Sequence, residues 1–156
     1  MLTFRLGSEQ YAIDVLGVQE IKVYSQITRV PNVPSFVKGV MNLRGTVIPV
    51  IDLRIKFDLP VPPYDRFTLI IVVSVEGKTV GLVVDAVNAV VAFPLEVLSP
   101  PPELPSRPEQ TMVTGVAHVK DGLVMCLDVK ALVEDAFGMP LGQGNQLDFQ
   151  ENRHVE

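Results

Sequence analysis

Residues 39–54 (Gly-Val-Met-Asn-Leu-Arg-Gly-Thr-Val-Ile-Pro-Val-Ile-Asp-Leu-Arg) align without a gap on residues 115–130 (Gly-Val-Ala-His-Val-Lys-Asp-Gly-Leu-Val-Met-Cys-Leu-Asp-Val-Lys). Gly39 and Gly115, Val40 and Val116, Arg44 and Lys120, Asp52 and Asp128, and Arg54 and Lys130 fall in register. A weaker echo sets Tyr11–Leu16 against Leu82–Val87. Two copies at nearly half the chain length imply two small units of the same build. Below about 70–80 residues one core supplies only a few kcal/mol, so such units must share an apolar seam. Closing each sheet into a barrel removes its exposed edges.

Within the units the patterning is that of strands. Leu2, Phe4 and Leu6 share one face of a strand at Leu2–Leu6, and Gly7–Gln10 leads to its partner, Tyr11–Asp14. Val18–Val23 alternates again, with Val18, Glu20 and Lys22 opposite Gln19, Ile21 and Val23. Pro31 and Pro34 force an extended connection, after which Ser35 is expected to cap a helical turn at Phe36–Lys38, stopped by Gly39. Hairpins are expected at Val40–Leu43 with Thr46–Ile51, at Phe67–Val75 with Lys78–Val84, and at Val113–Val119 with Leu123–Leu127. Asp52–Phe57 reads as an amphipathic turn that buries Leu53 and Phe57 and solvates Arg54 and Lys56. Residues 59–65 and 99–108 are proline-rich connections, and Val129–Phe137 is a helix ended by Gly138. The expected fold is all-β: two small antiparallel barrels in tandem, with short helices. The single domain spans 1–141, with barrel halves at about 1–60 and 66–138 that are free to exchange terminal segments, and 142–156 forms a polar tail.

Composition narrows the function. With 47% hydrophobic and 20% charged residues among 156, the chain is not disordered. Its apolar runs fall far short of the roughly 20 residues of a helical membrane span. No basic and apolar leader opens it, so the cytoplasm is the expected compartment. A net charge of −5 argues against a nucleic-acid partner. Cys126 is the only cysteine and reads as a small buried hydrophobe, and the two histidines, His118 and His154, form no metal motif. Phosphate loops, nucleophile elbows and paired zinc-ligand motifs are missing from the sequence. The carboxylates Asp14 and Asp85 follow apolar strands and are expected to cap turns rather than to catalyse. No enzyme, cofactor or metal is expected.

The ordered set Phe4–Gly7, Tyr11–Asp14, Val18–Ile21, Ile27–Pro31 and, above all, Lys38–Arg54 resembles the CheW family of chemotaxis adaptors. The resemblance covers the chain from about Leu2 to Phe137. It implies two five-stranded SH3-like barrels packed on each other and a function without chemistry. Such adaptors couple methyl-accepting chemoreceptors to a CheA-type histidine kinase at membrane-associated arrays, binding the receptor's helical tip and the kinase's regulatory domain. Family positions for receptor contact fall on Val18, Glu20, Arg44 and Leu69.

Each of these residues has a duller reading. Arg44 also reads as a turn residue that bonds to a neighbouring loop, for instance by pairing with Glu20. Val18, beside two charges in an alternating strand, favours an exposed contact, whereas Leu69, in an almost fully apolar strand, fits simple core as well as it fits a contact. The kinase-facing surface is expected within Thr68–Val91, with no residue assigned. The scarcity of charge in Leu69–Val75 and Val80–Val84 points to a nonpolar, salt-tolerant contact. Two other readings stand beside the first. One is an adaptor of a non-flagellar system controlling pili or a second messenger. The other is a small-ligand carrier using the seam between the barrels.

Overall fold

The computed structural model describes residues 1–103 and 107–137; the tail at 142–156 and the helix stop at Gly138 lie outside the described residues. The elements in order are β1 (Leu2–Leu6), β2 (Glu9–Ile13), β3 (Val18–Val23), β4 (Val37–Leu43), β5 (Thr46–Asp52), α1 (Leu53–Lys56), β6 (Leu69–Val75), β7 (Lys78–Val84), β8 (Ala86–Val90), β9 (Leu98–Ser99), β10 (Val113–Val119), β11 (Gly122–Leu127) and α2 (Val129–Phe137).

Two sheets result, ordered β3-β6-β7-β5-β4 and β8-β1-β2-β11-β10-β9. The first curls shut because the chain leaving β3 returns along β4, where Thr28 and Val40 exchange backbone hydrogen bonds of 2.8 Å. In the second, the chain leaving β8 returns as β9 and pairs with β10. Each sheet also holds one parallel pair, β5 with β7 and β2 with β11, beside its antiparallel ladders. The first barrel is one continuous stretch, β3 to β7, set into the second, which takes β1–β2 from before it and β8–β11 from after it. The N-terminal and central hairpins have therefore changed places relative to halves at 1–60 and 66–138.

The shared seam is the largest apolar cluster. Leu2, Phe4, Leu6, Tyr11 and Ile13 of one barrel meet Ile51, Ile71, Val73, Leu82 and Val84 of the other, with Leu132, Val133 and Ala136 of α2 laid against both. Each barrel keeps a small interior of its own, built around Met41, Ile48, Val50, Ile70 and Val72 in one and Ala12, Ala117, Val124 and Cys126 in the other. Burial pushes the Cys126 thiol above its ordinary pKa.

The repeat has a structural reason. Both copies shift register at their glycine, between Val37 and Gly39 and between Val113 and Gly115. Gly39 has φ 142°, and a Cβ there would stand 2.0 Å from the Thr28 carbonyl oxygen; at Gly115 the corresponding approach, to Ser99 O, is 3.0 Å. Glycine lets the returning strand close the barrel. Both aspartates cap the helix that follows, Asp52 accepting from Arg54 N at 2.9 Å and Asp128 from Ala131 N at 3.3 Å.

Three expectations change. Phe36–Lys38 is not a helical turn: Val37 already opens β4, because Gly39 serves the strand closure rather than a helix stop. Arg54 and Lys56 are buried, not solvated, because α1 lies between the barrels and carboxylates wait there for both cations. Asp85 caps no local turn. It accepts from Gly7 N at 2.6 Å across the seam and holds Arg54 Nη1 at 2.6 Å, while Asp14 does cap the 3₁₀ turn Val15–Gly17.

Candidate functional site

The four residues carried over from the resemblance lie on the first barrel, Val18 and Glu20 on β3, Arg44 in the β4–β5 turn and Leu69 on β6. β3 is an edge strand paired with β6 alone, and its register shifts between Val18 and Glu20. Gln19 is the extra residue of that bulge, so simple alternation fails there. Val18 lies opposite Val73 and packs on the seam, whereas Glu20 lies opposite Val72, a residue of the barrel interior. The bulge thus sends Val18 and Glu20 to different faces, and Val18 is half-buried rather than displayed beside two charges.

Arg44 occupies the β4–β5 turn at φ 50°, with the turn held by Gly45 N donating to Asn42 Oδ1 at 2.7 Å. Its side chain is 69% exposed and forms an ion pair with Glu20. The hydrogen bond from Arg44 holds the Glu20 carboxyl below the usual carboxylate range, and Glu20 in turn raises the guanidinium. A recess of about 210 Å³ beside them is lined by Gln19, Leu43, Arg44, Thr46, Ile48 and Thr79. Leu69 opens β6 opposite Val23 and packs partly on the seam.

So Glu20 and Arg44 touch at the barrel end, while Val18 and Leu69 flank the seam on neighbouring strands. Sequence reading passed over three exposed apolar neighbours: Ile21 (43% exposed), Val23 (55%) and Phe67 (66%). Ile21 and Val23 lie opposite Ile71 and Leu69, so they extend the seam-side apolar strip to the sheet edge. Their spacing was visible, but not the bulge that decides which face they join.

The range 68–91 is mostly interior. β6 and β7 stand within the sheet, and Ile70–Val73 and Leu82–Val84 are fully buried, so their lack of charge reflects core. The part of this range that is both strand and exposed is β8, which pairs with β1 alone and shows Asn88, Ala89 and Val90 to solvent.

Two polar networks stiffen this frame. Arg54, at 0% exposure, places Nε and Nη2 on Asp52 at 3.0 and 2.9 Å and Nη1 on Asp85 at 2.6 Å. The Tyr64 hydroxyl also donates to Asp52, and the Arg54 guanidinium lies 4.9 Å from the Tyr64 ring centroid. Burial works against the charge on Arg54, but Asp52 and Asp85 outweigh it and its pKa rises; burial and Asp52 raise Tyr64. In the second barrel Arg107 bonds Glu9 at 2.7 Å and also pairs with the fully buried Glu109, which lies 2.9 Å from the Tyr11 hydroxyl. Burial and then Glu109 raise Tyr11. These groups are committed to one another and hold the fold.

Ser99 Oγ lies 2.8 Å from His118 Nε2 on the outside of β9 and β10, where the bond fastens a two-residue strand. The seam itself is filled by side chains, and a second groove, of about 470 Å³, lies on the other barrel beside Glu9, Arg107 and Leu123. Among the described residues no group of three His, Cys, Asp or Glu side chains is arranged to hold a metal, and no helix is long and apolar enough to cross a membrane. What the surface offers is a charged turn at the barrel end and an apolar strip on the seam side of β3, suited to holding another protein.

Comparison with known proteins agrees with that geometry. The CheW-like domain model matches residues 1–137. The chemotaxis protein CheW of Klebsiella aerogenes is 41% identical over 132 residues, covering 85% of this chain and 80% of the relative. Protein PilI of Pseudomonas aeruginosa is 30% identical over 118 residues, covering 74% and 65%. The crystal structure of a scaffolding CheW protein from Thermoanaerobacter tengcongensis superposes with a TM-score of 0.74 at 33% identity, covering 81% of this chain and 86% of that one. The chain therefore belongs to the CheW family.

Proposed function

We propose that this chain is a non-enzymatic adaptor that couples methyl-accepting chemoreceptors to a CheA-type histidine kinase, acting in the cytoplasm at receptor arrays. The family is one of scaffolds and adaptors. The observation that carries the finer reading is the edge strand β3, which presents the exposed Arg44–Glu20 pair from one face and, with Leu69, the apolar strip of Val18, Ile21 and Val23 from the other. A helical hairpin tip offers an apolar stripe with flanking polar groups, and this surface is its complement. Val18 and Leu69 supply apolar area, Glu20 meets a basic or polar group, and the Arg44 fork bonds a carboxylate or carbonyl. The kinase's regulatory domain packs on the β8 edge, where Ala89 and Val90 make a nonpolar contact that tolerates salt.

Co-sedimentation with chemoreceptor fragments and kinase together tests both partners. Arg44→Asp is expected to keep the circular dichroism spectrum and melting profile while weakening receptor pull-down and kinase activation. Unfolding of that variant instead makes Arg44 structural and removes it from the site. The similarity to Protein PilI supports a second reading, an adaptor of the same kind serving a pilus or second-messenger system. The neighbouring genes distinguish the two.

A further inference from the structure

Three hairpin turns differ in a way that singles out one of them. At Arg44–Gly45 the strands close at Leu43 and Thr46, and both turn residues have positive φ, 50° and 88°. Glu76–Gly77, between Val75 and Lys78, has the same form, with φ 49° and 80°. A turn of this kind matches the twist of a hairpin but favours Asn, Asp or Gly at its first position, so a long charged side chain there is held under strain. The copy of the Arg44 turn in the second barrel avoids that strain. Its left-handed residue is Gly122, φ 130°, while Lys120 and Asp121, aligned with Arg44 and Gly45, lie outside the left-handed region.

Asn42 sets the first turn apart. Its Oδ1 accepts from Gly45 N at 2.7 Å, a bond that spans the turn and encloses Arg44. Among the described residues no side chain does the same for Gly77, where Ser74 stands in the place of Asn42, so this form of turn stands without a cap. In the second barrel the residue aligned with Asn42 is His118, which bonds Ser99 at 2.8 Å instead. Asn is also a poor strand former, and Asn42 is exposed at the last position but one of β4, so packing does not account for it. What the capped turn carries is Arg44. Its Nη2 is committed to Glu20, no other acceptor meets the guanidinium among the described residues, and the side chain is 69% exposed. Lys120, in the uncapped copy, holds no carboxylate among the described residues. Leu43, Arg44 and Thr46 of the capped turn also form one wall of the recess of about 210 Å³.

We propose that Asn42 is a positioning residue for Arg44. Its bond to Gly45 fixes the strained turn, so that the guanidinium stands against Glu20 with the rest of its fork open to a carboxylate or carbonyl of a partner. An exposed arginine ordinarily loses its rotamer freedom on contact, and holding it beforehand removes that loss from the binding step. The cap acts on orientation rather than on folding, because the bond is exposed and the same turn stands uncapped at Glu76. Strain at Arg44 is kept for the same reason: a left-handed residue at that position aims its side chain across to β3, where Glu20 waits. The inference deepens the adaptor reading and rests on it for the partner, but not for the link from Asn42 through Arg44 to Glu20.

The test uses the full chain and reads the Glu20 carboxyl by carbon-detected NMR titration. The cations that act on this carboxyl are Arg44, chiefly through its hydrogen bond, and Lys22, so loosening Arg44 lets the midpoint rise. Asn42→Ala is expected to move the midpoint at least halfway from the wild-type value to that of Arg44→Ala, with the melting temperature kept within about 2 °C. In an Arg44→Ala background the same change is expected to leave the midpoint where it is. An unmoved midpoint in Asn42→Ala, or an equal movement in both backgrounds, overturns the proposal. If circular dichroism shows Asn42→Ala unfolded, Asn42→Val, which lacks the acceptor but favours a strand, takes its place with the same outcomes. Pull-down of a chemoreceptor cytoplasmic fragment forms the second arm. Asn42→Ala is expected to weaken it about three- to tenfold, with no further loss when added to Arg44→Ala. A moved midpoint with unweakened binding overturns the proposal, since the held fork then serves no contact. A moved midpoint when the wild type binds no fragment leaves Asn42 as the residue that positions Arg44 and removes the receptor. An unmoved midpoint in a protein whose wild type binds the fragment removes Asn42 and leaves the adaptor.

Discussion

Arg54 and Lys130 occupy the same position in the repeat and meet opposite surroundings. Arg54 is sealed between the barrels with Asp52 and Asp85, whereas Lys130 and its partner Glu76, 2.8 Å away, are about half exposed. Removing the buried cation leaves Asp52 charged and dry, so Arg54→Ala is expected to cost about 3–5 kcal/mol in denaturant melts. Lys130→Ala is expected to cost less than about 1 kcal/mol. A pH titration distinguishes the exposed pair. Because Arg44 lowers the folded-state pKa of Glu20, their pairing contributes fully above the ordinary carboxylate pKa and is lost as pH falls through the lowered value. Carbon-detected NMR of Glu20 is expected to show a depressed midpoint in wild type and an ordinary one in Arg44→Ala. At this scale Leu53 and Phe57 were legible as buried from their spacing alone. Arg54 and Lys56 were not, because amphipathic patterning assigns every cation to solvent and says nothing of a carboxylate arriving from Asp85 or Asp135.

Strands and hairpins were largely readable, since turn residues at 44–45, 76–77 and 121–122 stand between apolar runs. Helix α2 matches its expected Val129–Phe137 span, with Leu132, Val133 and Ala136 on the buried face. Two things were missed for one reason. The bulge at Gln19 and the strand Ala86–Val90 depend on what lies beside them, β6 and β1, and local patterning carries no such information. The glycine pair offers a test at this scale. Gly39→Ala drives a Cβ into the Thr28 carbonyl and breaks the bridge that shuts the first barrel, with an expected cost of about 3 kcal/mol or more. Gly115→Ala, with 3.0 Å to Ser99 O, is expected to cost less than half as much in the same thermal melts.

For the molecule as a whole, the duplication announced two like units and a seam, and both are present. Which hairpin joins which barrel was not legible, because it is decided by the distant parallel pairings of β2 with β11 and β7 with β5, which local patterning does not carry. The exchange yields a clear expectation: fragments 1–60 and 61–156 each lack a hairpin that their sheet requires. Neither is expected to show strand signal by circular dichroism alone, and mixing them is expected to restore one cooperative melt.

The chain crosses between the barrels at two points, Asp14–Gly17 and Asp85, which are equivalent positions in the repeat. A body tethered at two points keeps a single easy rotation, about the line that joins them. Here that remaining flap is locked by the apolar seam packed between the barrels and by Lys56 reaching Asp135 at 2.5 Å. Force applied to either barrel is therefore delivered to the other as displacement of a rigid bracket, not absorbed in a hinge.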